Sequence, residues 1–553
     1  MPRHDPTSVA AGERRWRRLF VIAFVGLILL KVGIAVTLAP FADEAFYWQE
    51  SRHLAWGYSD LPPLTAWLIR LGEGIAGHGV FGMRWPFLLI GSALPWLVAA
   101  FARASFVAQE CVNVADAEST RANGAKVGWQ AGLLCLVLPL AGSMGVLALP
   151  DVPLTVAIML GLLALLHAMD ANRWRDWLLL GFALAICWLT HYRAAMPMLA
   201  GLLLLVATPR GRLQWRRGGL WLALAVAALG LIPLLLSNWQ QRGAGLVFQL
   251  VQRNPWQFHA DALVQPLEQA LACTPLLYAL LLWTTWRSWR RRGEGAPWDL
   301  IAVFALTFIV LYFVLGLFAD DLRFRAHWPL PGYLPLLAAL PLLWPAVGHR
   351  QAMRILLTWS VALAALGQLA GMAYLGLAAM PGGARVLSSV KAFPRDFVGW
   401  NESGELATRL LRQHPGVLVA DNFMLAAELD FQLDGRVPIY VLDSPLNTKH
   451  GRAPQLAIWR MDEAALRSAH AGEPVLLAVD ETVLPERDRA GWLGSLCQRL
   501  RNPQALQRLD LYEGRKRVAF YRAEVPAAMT PATDTGATPA CLILSQAQAS
   551  RTR

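Results

Sequence analysis

A succession of long apolar runs limits what this chain can fold into more than any other feature. The stretch from Leu19 to Pro40 holds only Lys31 as a charge. As a helix rising 1.5 Å per residue it is long enough to cross a hydrocarbon core of ~30 Å. Scanning onward gives about eleven such runs, at 19–39, 86–103, 128–148, 152–169, 177–190, 194–208, 219–237, 271–286, 298–318, 329–346 and 355–380. The segment 177–208 is too long for one helix and is interrupted by His191, Tyr192 and Arg193, so it reads as two spans. With 56% hydrophobic residues and 24 Trp among 553, the chain lies outside the range of ordinary soluble proteins. The expected fold class is a polytopic α-helical membrane protein. No cleavage site follows the first run, which is read as a retained span.

Arginine placement sets the expected orientation, because short cytoplasmic loops concentrate Lys and Arg. Arg14, Arg15, Arg17 and Arg18 precede the first span, and alternate loops carry Arg173 and Arg175, then Arg210, Arg212, Arg216 and Arg217, then Arg287, Arg290, Arg291 and Arg292, then Arg350 and Arg354. Residues 1–18 are therefore expected to be a cytoplasmic tail, and 19–380 a membrane domain of a multi-pass inner-membrane protein. The net charge of +12 follows largely from this topology and from attraction to the membrane surface, so no nucleic-acid partner is invoked.

Past Met380 charged residues return, and short β-like runs occur at Val417 to Ala420, Ile439 to Leu442, Val475 to Val479 and Val518 to Tyr521. Helical patterns such as Glu402 to Gln413 lie between some of them. Residues 381–525 read as a small α/β domain on the non-cytoplasmic side, and 526–553, rich in Ala, Thr, Pro and Gln, as a disordered tail. Six cysteines show no paired metal-ligand spacing, so neither a disulfide framework nor a cysteine zinc site is expected. Neither GxGxxG nor a Walker motif is present, which argues against an ATP-driven pump.

The chemistry concentrates on one expected face. Just after the first span the chain reads DEAFYWQESRHLAWGYSDLPPLTAW, which places Asp43, Glu44 and Asp60 in the first non-cytoplasmic loop, residues 40–85. On the same side fall Asp151, His191 and Arg193, Arg253 and His259, and Asp320, Asp321, Arg323, Arg325 and His327. Each has a bland alternative. An Asp-Glu pair also suits the N-terminus of an interfacial helix, and a lone arginine also suits lipid headgroups. Tyr47, Trp48, Trp56 and Tyr58 have two jobs open to them, stacking on sugar or sitting at the membrane interface, and the interface is favoured. Ionisable groups beside a bilayer nevertheless default to function. Carboxylates facing arginines and histidines suit transfer of a group from a lipid-linked phosphate: the carboxylate takes the acceptor's proton while the cations meet the departing phosphate.

These residues resemble a known group. The segment DEAFYWQESRHLAWGYSDLPPLTAWLIRLG is similar to the first extracytoplasmic loop of GT-C fold glycosyltransferases, the group containing protein O-mannosyltransferases and bacterial aminoarabinose-to-lipid A transferases. LPDVPL around Asp151, GAGLVFQLVQRNPWQFHADAL, RFRAHWPLPGYLPLL and the stretch DNFMLAAELDFQLDGRVPIYVLDSPLNTKHGRAPQLAIW resemble further motifs of bacterial members. The resemblance implies inverting transfer from a polyprenyl-phosphate sugar to an envelope lipid, glycan or protein at the outer face of the inner membrane. It casts Asp43 as the catalytic carboxylate, Glu44 as its partner, Asp151 as a second acidic site and Asp60 as the acid before the PP motif. Leu61 stands where aminoarabinose transferases carry a phosphate-contacting lysine. Donor contacts are therefore expected from His191, Arg193, Arg253, Arg325 and His327, and aminoarabinose specificity is not carried over. No cofactor is obligatory; a divalent cation held by His191, His259 or His327 with a carboxylate is the optional addition.

Two other classes compete. A transporter or flippase of lipid-linked glycans should place its charges near the bilayer midplane and show paired halves with broken helices, whereas these charges cluster on one face. A scaffold that has lost catalysis has no need of Asp43 and Asp151.

Overall fold

The structure is a computed structural model, and it describes residues 6–110, 117–252, 256–318, 326–347, 350–482 and 486–527. Each of the apolar runs expected from the sequence falls wholly or largely on helix. Six of the described helices are long and apolar enough to cross a membrane individually, up to seven if the pair bent by 111° at Thr274 is one span. Shorter apolar helices include Tyr192–Ala207 and Leu330–Pro345. Large apolar side chains stay exposed on them, Ile22, Leu29, Leu89 and Leu366 among them, as a helix facing lipid requires. The chain is thus a multi-pass membrane protein.

Local chemistry moved some boundaries. The run expected at 128–148 is instead a helix at Ala117–Val137, a break at Leu138, a short helix at Pro139–Gly142 and turns through Gly145. Pro139 lacks the N–H a continuing helix needs, and apolarity alone could not reveal the stop. The division at residues 191–193 is real: Trp174–Thr190 ends at His191, a 3-10 turn covers Tyr192–Ala194, and Ala195–Ala207 resumes.

The first loop is itself helical. Ala42–Arg52 and Leu64–Ala76 form two short helices before the long Val80–Glu110 helix begins. The C-terminal segment folds as a five-stranded sheet, β1 (Val417–Ala420), β2 (Ile439–Val441), β3 (Pro474–Asp480), β4 (Arg501–Leu511) and β5 (Lys516–Glu524), in the order β2-β1-β3-β5-β4. β2, β1 and β3 are parallel, and β5 and β4 run antiparallel. β4 had no apolar alternation in the sequence. It is an edge strand with irregular register, largely exposed, and such strands carry polar residues on both faces. Cys497 is disulfide-bonded, which the sequence pattern had not led us to expect; Cys135, Cys187 and Cys273 are free and buried.

One apolar core runs from the first loop into this segment. Ala45, Phe46 and Trp48 cluster with Phe423, Leu429, Phe431 and Leu456. Phe46 stacks edge-on against Phe423 at 5.5 Å, and His53 lies on Trp459 at 5.0 Å. Polar bonds fix the register: Gln49 Nε2 donates to Asp430 (2.8 Å), the Ser59 N–H donates to Gln455 Oε1 (2.9 Å), and Ser59 Oγ donates to the Gly451 carbonyl (2.6 Å).

Candidate functional site

The Asp-Glu pair occupies the first turn of the Ala42–Arg52 helix, where free N–H groups favour carboxylates. Its two members face different surroundings. Glu44 turns inward and is fully buried; its carboxylate accepts from the Phe41 N–H (3.0 Å), the Ala148 N–H (2.6 Å) and Arg84 (Nε 2.8 Å, Nη2 2.6 Å). Arg84 in turn donates to the carbonyls of Leu38 (2.6 Å) and Ala39 (3.0 Å) at the end of the first membrane helix, where a cation is favoured. The capping reading therefore fits Glu44. It does not line the cavity described next.

Asp43 faces a cavity of ≈330 Å³ that it lines together with Tyr47, Asp60, Asp151, His191, Arg193 and His327. Six of the expected site residues thus converge: Asp43, Asp60, Asp151, His191, Arg193 and His327. Asp151 begins the Asp151–Ala171 helix, and its Oδ1 accepts from Arg193 Nη2 at 2.7 Å and lies 3.2 Å from His327 Nε2. The break between spans explains Arg193: the His191 ring caps the 3-10 turn by accepting the Arg193 N–H (3.0 Å), and the guanidinium lies over the Trp328 ring at 5.3 Å. The loop leading to Asp151 is anchored from the first span, where Lys31 donates to the Met144 carbonyl.

Arg253 and Arg325 lie outside the described residues, as do Asp320, Asp321 and Arg323. His259 is described but does not line the cavity. Among the described residues no group of three or more His, Cys, Asp or Glu is arranged to hold a metal ion. Leu61 lines the cavity with an apolar side chain. The aromatics divide differently from the interfacial expectation. Tyr47 lines the cavity. Trp48 is buried with its indole N–H donating to Glu73 (2.8 Å), and Tyr58 is buried with its hydroxyl donating to the Glu50 carbonyl (2.8 Å). Of the four, Trp56 is exposed.

The sequence pattern did not single out Arg452, His450 or Glu50. Arg452 and His450 reach the cavity from the C-terminal domain. The Arg452 guanidinium bonds Asp60 closely and lies 3.4 Å from Glu50 and from Asp43. It is stacked 4.1 Å from the centre of the Phe46 ring. Glu50 sits well above the usual carboxylate range, first through burial and then through the neighbouring Asp60 charge. Burial raises Asp60 as well, against the pull of Arg452. A signal for Arg452 did exist in the run NTKHGRAPQ, which is polar amid an apolar fold, but nothing local tied it to the first loop, 392 residues earlier at Asp60.

Residues 119–236 match the family described as dolichyl-phosphate-mannose-protein mannosyltransferase. A lipid A galacturonosyltransferase of Rhizobium johnstonii is 26% identical over 326 residues, which are 55% of this chain; the match spans 61% of that relative's length. Crystal structures of ArnT from Cupriavidus metallidurans are similar over 92% of this chain and 98% of theirs at 16% identity, with a TM-score of 0.61 for the apo state and 0.58 for the form bound to undecaprenyl phosphate. The chain therefore shares the GT-C fold of these proteins.

Proposed function

We propose that this GT-C fold protein is a glycosyltransferase that moves a sugar from a polyprenyl-phosphate donor to an acceptor outside the cytoplasm. The observation that carries the reading is the convergence of Asp43, Asp60, Asp151, Arg193 and His327 on one cavity beside the membrane helices. The match to a lipid A galacturonosyltransferase supports an envelope lipid as acceptor, and the likeness to a protein crystallised with undecaprenyl phosphate supports the donor class. Glycan and protein acceptors use the same hydroxyl or amine chemistry.

In this reading Asp43 takes the proton from the acceptor hydroxyl or amine as that atom attacks the anomeric carbon. The bond from that carbon to the phosphate oxygen breaks on the opposite side, its electron pair leaves with the polyprenyl phosphate, and the product has inverted configuration. Arg193 and His327 meet the charge that grows on the phosphate, and Arg253 and Arg325 remain candidates for further donor contacts. Asp151 aims Arg193, and His191 fixes the turn that carries it. The chain's own side chains perform every step, and no cofactor is required.

A second cavity of ≈410 Å³ lies among membrane helices, lined by Ile158, Leu162, Leu184 and Phe304 among other apolar residues, and supports a place for a prenyl chain. The arginine pattern supports a cytoplasmic N-terminus in the inner membrane, with the cavity on the opposite face.

The test is transfer from radiolabelled polyprenyl-phosphate sugars by membranes containing wild type or Asp43→Asn, with an envelope extract as acceptor pool. Label reaching an acceptor with wild type alone supports the reading. Equal transfer by both proteins removes Asp43 from the mechanism.

A further inference from the structure

Arg452 is buried, 4% exposed at the side chain, yet lines the cavity. It does more than its neighbours need for docking. Ser59 with Gln455 and Gly451, Gln49 with Asp430, and the Phe46, Phe423 and Trp459 rings already hold the C-terminal domain on the first loop. A buried ion pair is a poor adhesive, because desolvation offsets much of its attraction. What Arg452 does provide is the cationic partner on this side of the cavity for three carboxylates, Asp43, Glu50 and Asp60. Arg193, across the cavity, is engaged by Asp151.

We propose that Arg452 is a positioning residue that holds the Asp43 and Asp60 carboxylates in place at the cavity wall, so that the C-terminal domain completes the active site. The inference rests on the proposed role of Asp43 as the base. Its geometry is direct: the guanidinium is a planar fork of five donors, with Nη1 on Asp60 and Glu50 and Nη2 on Asp43. The Phe46 ring and the clamped segment from Gly451 to Gln455 allow it little movement. The groups facing it are Asp43, Tyr47 and Glu50 from the Ala42–Arg52 helix and Asp60 from the loop beyond. His450 lies beside it in the chain, and Asp151, Arg193, His191 and His327 line the rest of the cavity. Burial raises Glu50 and Asp60 alike, and Nη2 is the arm of the fork that reaches Asp43.

The experiment is the pH dependence of kcat for transfer from a polyprenyl-phosphate sugar, compared among wild type, Arg452→Gln and Arg452→Lys, together with KM for the donor. Removing a cation beside a base raises the pH at which the base becomes active, by about one to three pH units for a contact of this kind. The expected result is an acidic limb displaced upward by at least about one pH unit in Arg452→Gln, kcat lowered about tenfold or more near neutrality, a donor KM changed by less than about threefold, and partial rescue in Arg452→Lys. A limb that stays in place, or a change confined to donor KM, overturns the proposal while leaving the transferase reading intact. If Arg452→Gln fails to fold, the double variant Ser59→Ala, Gln455→Ala loosens the same segment with Arg452 retained. It must show the same upward displacement, and an unmoved limb there also overturns the proposal. Loss of transfer in Asp43→Asn is the separate control on the reading itself.

Discussion

Arg452 forms a buried ion pair with Asp60 across 392 residues of sequence. The bond joins the loop after the first membrane helix to the C-terminal α/β domain, and it does so at the wall of a cavity where acidic and basic residues of both halves meet.

Asp43 is proposed to act on the acceptor; it reaches the cavity while its neighbour Glu44 does not. Asp43→Asn should lower kcat by about 10²–10⁴ with donor affinity within a few fold, the range expected for loss of a general base. Steady-state transfer assays with purified protein check this; a fall smaller than about tenfold would assign the proton to another group.

Glu44 and Arg84 tie together the end of the first span, the first-loop helix and the segment before Asp151. Arg84→Met strands the Glu44 carboxylate in the interior and should destabilise the fold by roughly 3–5 kcal/mol, whereas Glu44→Gln with Arg84→Met should recover most of that loss. Thermal unfolding in detergent separates the two cases. Equal melting of the single and double variants would contradict the pairing.

Arg193 is proposed to meet the donor phosphate. A charge-assisted contact contributes about 1.5–3 kcal/mol, so Arg193→Gln should weaken binding of polyprenyl phosphate by roughly tenfold or more. Titration of the unglycosylated lipid phosphate onto purified protein measures it, and unchanged affinity would move phosphate binding to other cations.

Gly451 adopts φ +72° and faces the Phe248 ring, with ring atoms 2.7 Å from where a Cβ would sit. Gly451→Ala is therefore strained both in backbone and in space. The displacement should carry Arg452 away from Asp60 and lower transfer about tenfold with the sheet intact, less than the about 10²–10⁴ that loss of the base itself costs. Circular dichroism beside the transfer assay tests both parts, and full activity in the variant would show that the segment can yield without consequence.

Asp421, at the end of β1, is raised to about 7 by burial and then by the Asp480 carboxylate. An unfolded aspartate titrates near ~3.9. Between about pH 4 and 7 the folded protein therefore holds the extra proton, and stability falls as pH rises through that window, by about 1.4 kcal/mol per pH unit. Asp421→Asn should flatten the slope and melt above wild type at about pH 8. Thermal melts of the full chain from about pH 4.5 to 8 decide it, and parallel curves for the two proteins would show that Asp421 does not hold that proton.

The sequence by itself determined that the chain is a helical membrane protein, because a ~30 Å hydrocarbon layer demands long apolar runs; the number of spans it did not determine, since six of the described helices, up to seven with the bent pair, are long and apolar enough to cross, against about eleven runs. It also determined the break at His191 to Arg193 and the strands β1, β2, β3 and β5, whose buried faces require apolar residues in short runs. Asp43, Asp60, Asp151, Arg193 and His327 were legible as candidates because charge beside a bilayer is costly and therefore conspicuous. Tertiary structure decided what pattern does not encode. It separated Asp43 from Glu44, since successive residues on a helix point about 100° apart and only packing says which direction is the cavity. It moved Trp48 and Tyr58 from an expected interface into the interior. It brought Arg452 to Asp60, because contacts at long sequence separation depend on how whole domains dock, and a domain's docking surface leaves no periodic trace in its sequence.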